Sequence, residues 1–107
     1  MDVAVKLVDT PSQEEATFRK LPILIGRDPS ADVRLDDPAV APYQCMIGNG
    51  TSKYLTAWNL RTEIPMHVNG QRVFSKAELL PGDSLTVGKS HLVVHYELPP
   101  QRMPLLS

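Results

Sequence analysis

Ten prolines spread through 107 residues set the tightest limit on what this chain can fold into. An interior proline removes a helix hydrogen bond and costs about 3 kcal/mol, so proline at this density leaves little room for long helices. No stretch carries apolar residues at helical spacing over three turns. Short alternating runs separated by turn residues recur instead. Val3, Val5 and Leu7 alternate with Ala4, Lys6 and Val8; Ala16 to Leu21 predicts a second strand after the turn TPSQEE; and Leu21 to Ile25 is an apolar, β-branched run ended by Gly26. Further short strands are expected at 33–35, 43–47, 54–60, 66–68, 72–74, 84–87 and 91–98. Nine or more such strands with frequent turn signals predict an all-β, antiparallel two-sheet sandwich or a barrel.

The connections are as informative as the strands. Asp36 to Pro42 holds two prolines within seven residues and reads as a loop of fixed shape. Asn49-Gly50 and Asn69-Gly70 each separate two alternating runs, the strongest short-range hairpin signal, because both residues tolerate positive φ. Asn49-Gly50-Thr51 also matches a glycosylation sequon, but the hairpin reading accounts for it without a secretory route. The length suits one domain, expected over residues 1–98. Pro99 to Ser107 has three prolines and no periodicity, the pattern of a tail or the start of a linker.

Composition removes whole classes of function. Eleven Lys and Arg against 12 Asp and Glu give a net charge of -1, which argues against nucleic-acid gripping and against polybasic membrane attachment. Neither a signal peptide nor an apolar run of about 20 residues is visible, so the expectation is a soluble cytoplasmic protein. Cys45 is the single cysteine, which excludes an internal disulfide framework and a multi-cysteine zinc site. Its neighbours Gln44 and Met46 bring no positive charge to activate a thiol, so a buried apolar role is expected. His91 and His95 share a strand face but lack a third ligand; Asp36 and Asp37 point apart if extended. No Ser/His/Asp or Cys/His set has supporting context and no Gly-rich phosphate loop is present. The chain reads as non-enzymatic, with no cofactor and no metal.

The order of the turn motifs resembles the forkhead-associated (FHA) domain. Gly26-Arg27, Val33-Arg34-Leu35 and Asp37-x-x-Val40 follow the opening of that family's pattern. Asn59-Leu60, Val68-Asn69-Gly70, Leu80-x-Gly82-Asp83 and Val87-Gly88 follow its second half in order and spacing. The resemblance spans about residues 3 to 98 and implies a sandwich of two twisted antiparallel sheets, usually of eleven strands. It also implies binding of phosphothreonine peptides by loops at one end of the sandwich. Such domains often sit in longer bacterial chains beside kinase, transcription or secretion-system segments, as signalling scaffolds.

Phosphate carries close to two negative charges and needs charge-assisted donors converging on three oxygens. Arg27 matches the family's arginine after the first glycine. The family's Val-Ser-Arg-x-His run, however, is Val40-Ala41-Pro42-Tyr43-Gln44 here, without the hydroxyl, the basic side chain or the loop-bracing histidine. In the other loop Thr62 keeps a hydroxyl, but Glu63 replaces a phosphate-contacting threonine and Ile64 replaces the asparagine that holds the peptide backbone. A hydrogen bond to a charged group is worth about 1.5–3 kcal/mol, and a micromolar complex totals about 8 kcal/mol. Losing three such bonds therefore removes most of the binding.

The expectation is thus a degenerate FHA-like module that binds a protein partner regardless of phosphorylation, or self-associates, through Pro38 to Gln44 and Arg61 to His67. The alternative is a phosphopeptide reader with a rearranged site around Arg27, Arg34 and Arg61. Arg27 itself reads either as a residual anion contact or as an ion-pair partner of Asp28, Asp36 or Asp37, and the second is favoured. Trp58 reads either as a core residue or as an outward aromatic anchor.

Overall fold

A computed structural model describes residues 4–98. The first three residues and the proline-rich stretch 99–107 lie outside the described residues, as do the expectations that fall on them. The alternating runs form eleven strands. They are β1 (Val5–Asp9), β2 (Glu14–Phe18), β3 (Ile23–Gly26), β4 (Val33–Arg34), β5 (Cys45–Asn49), β6 (Leu55–Asn59), β7 (Met66–Val68), β8 (Gln71–Arg72), β9 (Lys76–Leu79), β10 (Ser84–Val87) and β11 (Ser90–His95). One sheet runs β2-β1-β11-β10-β7-β8 and the other β4-β3-β5-β6-β9. All pairs are antiparallel except β3 with β4. No helix among the described residues is long and apolar enough to cross a membrane.

The period-2 pattern sets the core. Val5 and Leu7, Ile23 and Ile25, Cys45 and Ile47, Leu55 and Ala57, Leu85 and Val87, Leu92 and Val94 are buried at alternate positions of their strands. Each fully buried Ile, Leu or Val side chain contributes about 1.5–3 kcal/mol, so the two inner faces hold the sheets together. Cys45 lies in this core, and burial pushes its thiol up to about 12. Trp58 faces outward on the second sheet, half-buried, packed over Gly48 beside Pro22.

Three expectations change. The second strand starts at Glu14 rather than Ala16, because Gln13 takes φ 64 and its N–H closes a tight turn onto the Asp9 carbonyl at 2.7 Å. Asn49-Gly50 is not a two-residue turn. Asn49 is still paired with Leu55, neither residue takes positive φ, and the connection is 50–54. Gly50 answers a packing need instead, since a Cβ there would stand 2.2 Å from the Thr56 hydroxyl. Finally, β9 was not expected: its sequence KAEL has weak strand propensity, and its four residues are held extended by pairing along β6 from Leu55 to Trp58. Asn69-Gly70 does turn as expected, at φ 51 and φ 83.

Candidate functional site at the loop end

The loops 27–32, 35–44 and 60–65 and the turn 88–89 are laced together at one end of the sandwich, and backbone geometry decides how. Gly26 ends β3 with no side chain, and a Cβ there would stand 2.0 Å from the Pro42 carbonyl oxygen. That space lets the 41–44 segment lie directly against the end of β3. The Arg27 N–H then donates to the Ala41 carbonyl at 3.0 Å, Asp28 N–H to Pro42 at 3.1 Å, and Gln44 N–H to Ile25 at 2.9 Å. The glycine of the Gly-Arg pair is thereby a backbone requirement before it is a ligand signal.

Beneath the loops runs a buried polar network. Gln44, fully buried, accepts from the Ala41 N–H through Oε1 at 3.1 Å and donates through Nε2 to Asn59 Oδ1 at 3.0 Å. Asn59 Oδ1 also accepts the Arg61 N–H at 3.2 Å, while its Nδ2 donates to the carbonyls of Ile64 at 3.1 Å and Val73 at 3.3 Å. Asn59 therefore fixes the third loop at two points, and Gln44 performs the bracing expected of a histidine. An amide offers one donor group and one acceptor, which is all this position uses. Asp37, also buried, accepts the N–H of Ala39 and of Lys89, each at 2.9 Å, and ties the second loop to the turn before β11. Those two amides hold its carboxyl below the usual carboxylate range.

The loop tips are different. Ala41 is buried and presents no side-chain donor; Pro42, Tyr43, Thr62 and Glu63 are exposed. Glu63 pairs with Arg61, with Arg61 Nη2 2.6 Å from Oε1. Its own backbone N–H and that guanidinium hold Glu63 below the usual range. Ile64 is half-buried and contributes only its carbonyl to the network. Tyr43 OH donates to Asp28 Oδ2 at 3.1 Å and lies 2.6 Å from the Ser30 hydroxyl, which also bonds Asp28. Bonds from the Ser30 hydroxyl and N–H, then from Tyr43, with the nearby Arg27 charge, lower the Asp28 carboxyl below its ordinary range.

The three arginines are each engaged with a different acceptor. Arg27 Nε donates to the Val40 carbonyl at 3.0 Å, Arg34 Nε to the Arg27 carbonyl at 3.3 Å, and Arg61 is spent on Glu63. The favoured ion pair of Arg27 is not formed: Arg61 with Glu63 is the only ion pair among the described residues. The reason lies in the carboxylates, since Asp37 faces two amides and Asp28 faces two hydroxyls. The Asp28–Ser30–Tyr43 cluster had no sequence signal beyond the turn-forming Asp-Pro-Ser, because Tyr43 reaches it only through the fold. No group of three His, Cys, Asp or Glu among the described residues is placed to hold a metal.

Comparison with known proteins bears on the same end of the molecule. The FHA domain family model matches residues 23–88, the segment that contains all three loops. No curated protein matches the chain in sequence. Among solved structures, Mycobacterium tuberculosis EmbR in complex with a low-affinity phosphopeptide superposes with a TM-score of 0.80 at 21% identity, over 92% of this chain and 26% of that one. This chain therefore spans about a quarter of the EmbR chain. A domain from a study of phosphothreonine-dependent FHA domain interactions gives 0.74 at 25% identity, covering 92% of this chain and 99% of that one. The N-terminal FHA domain of Saccharomyces cerevisiae Rad53p, solved with a phosphothreonine peptide, gives 0.77 at 20% identity, covering 88% and 94%.

Proposed function

The chain belongs to the FHA domain family, and from that premise we propose that it is a non-enzymatic scaffolding module whose phosphothreonine site no longer functions. It engages a protein partner through its loop end without regard to phosphorylation. The observation that carries this reading is electrostatic. Two loops that would need donors for a phosphate instead present carboxylates, Asp28 and Glu63, each held ionised by its own hydrogen bonds. Ala41 and Ile64 supply neither donor nor acceptor from their side chains. Beside the charged Arg61 and Glu63 the tips expose Pro42, Tyr43 and Leu60, apolar contact surface over a braced frame.

Calorimetric titration with phosphothreonine peptides tests it. The expected result is no phosphate-dependent heat, and capture of a partner equally from phosphatase-treated and untreated lysate. A second reading, a rearranged phosphopeptide site, draws on Arg27 and Arg34, which have no carboxylate partner among the described residues and are joined through the Arg27 carbonyl. Under that reading Arg27→Ala abolishes phosphopeptide binding; under the first it changes nothing. A second copy of the chain is also a candidate partner, and light scattering across protein concentration reads it out.

A further inference from the structure

The strand β9 ends its sheet with one side unpaired: β6 lies along one edge and no strand lies along the other. Ser75, just before it, turns its carbonyl to the Asn59 N–H of β6 at 2.7 Å. Main-chain groups alternate in direction along an antiparallel strand, so those of Ala77 and Leu79 face β6 and those of Lys76 and Glu78 face the open edge. A groove of about 680 Å³ lies along that edge, with Lys76, Ala77 and Glu78 on one wall and Gln71 and Arg72 of β8 on the other. Lys76 and Glu78 are exposed on the outer face of the sheet, and neither forms an ion pair. One Glu78 carboxylate oxygen accepts the Ser52 hydroxyl. Phe74 and Leu80, 62% and 42% exposed, flank the strand at equal distances along the chain from Ala77.

We propose that β9 is a self-association edge, pairing antiparallel with β9 of a second copy of the chain about a two-fold axis at Ala77. In that register Lys76 faces Glu78 of the second copy, and Glu78 faces its Lys76, so both charge pairs are unlike. These are also the residues whose main-chain groups point outward, and each facing pair can exchange both N–H···O bonds. Other registers fail on one count or the other. A shift of two residues sets Lys76 against Lys76 or Glu78 against Glu78, and a shift of one brings groups already turned to β6 to the shared edge. The chosen register also carries Phe74 towards Leu80 of the second copy at each end, covering two of the exposed large apolar side chains. Charge on a sheet edge ordinarily discourages the addition of another strand. Here two-fold symmetry turns the same charges into the element that selects an identical strand. The edge contains none of the loop tips, so this surface goes beyond the loop-end reading and does not depend on it.

Sedimentation equilibrium across protein concentration tests this by charge exchange. The wild-type chain should show a monomer–dimer equilibrium, and its Lys76 and Glu78 amides should gain protection from hydrogen exchange as concentration rises. Lys76→Glu sets Glu against Glu at both facing pairs, and Glu78→Lys sets Lys against Lys. Each variant alone should therefore dimerise about tenfold more weakly or worse. An equimolar mixture of the two restores both unlike pairs and should dimerise as the wild type does. Both positions are exposed, so the variants should fold, with thermal unfolding as the check. A wild type that stays monomeric at every concentration, a dimer that survives both reversals, or a mixture no tighter than either variant alone would overturn the proposal. A dimer lost instead on Tyr43→Ala would also overturn it, by assigning self-association to the loop end.

Discussion

The polar network under the loops and the side chains at their tips lie within a few residues of each other yet differ in what holds them in place. Below, Gln44, Asn59 and Asp37 anchor the second and third loops with amide and carboxylate chemistry. Above, the side chains of Ala41 and Ile64 carry no hydrogen-bonding group, and Glu63 carries a negative charge paired with Arg61. The difference teaches that loop shape in this domain rests on bonds whose loss costs stability directly. A buried donor or acceptor left unpaired costs about 1–3 kcal/mol whether or not a ligand ever arrives. The exposed Glu63 side chain has no such tie to stability, and Ala41 and Ile64 join the network only through their backbone N–H and carbonyl.

That contrast is open to direct attack. The largest effect is expected for Asn59→Leu, which removes four bonds and strands the Gln44 amide. A loss of about 3 kcal/mol, or roughly 12–24 °C in Tm by calorimetry, should follow. Gly26→Ala should cost about 2 kcal/mol by forcing the Pro42 carbonyl away, with thermal or denaturant unfolding as the readout. By contrast, Glu63→Thr and Ile64→Asn at the tips should leave Tm within about 3 °C of wild type. If those tip changes destabilise as much as the network changes, the division between frame and tip fails.

A pH profile sharpens the same division. Hydrogen bonds lower the Asp37 pKa in the folded state, so its contribution is fully present above the unfolded value of about 3.9 and is lost as pH falls through the folded value. Stability should therefore drop below about pH 4, and Asp37→Asn should flatten that acid limb while lowering stability at neutral pH. The smallest effect concerns Cys45. With its thiol buried and its pKa pushed up to about 12, it should resist alkylation at neutral pH until the domain unfolds, as mass spectrometry would record.

Much of the frame was legible in the sequence because it is written in periodicity and turns. Alternation at Val5/Leu7, Ile23/Ile25 and Val94/Leu92 marks core positions directly, and Asn69-Gly70 turns as its chemistry requires. Where the reading failed, a long-range contact overrode a local preference. The KAEL segment is a strand because β6 pairs with it, and Asn49-Gly50 is displaced from the turn because Asn49 stays in register with Leu55. At the site, the ordered motifs located the three loops, but the ion pair expected for Arg27 did not form. Hydrogen-bond competition for Asp28 by Ser30 and Tyr43, and for Asp37 by two amides, depends on the folded loops and leaves no trace in residue spacing.

The frame and the tips can be separated in one experiment. Phosphothreonine peptides and their unphosphorylated counterparts are titrated calorimetrically into the wild-type chain and into a variant carrying Ala41→Ser, Pro42→Arg, Glu63→Thr and Ile64→Asn. If the frame is intact and only the reading residues are gone, the wild type gives no phosphate-dependent heat and the variant gains phosphate-dependent binding in the micromolar range. Phosphate-dependent heat from the wild type, or a folded variant with unchanged Tm that remains silent, would contradict the account.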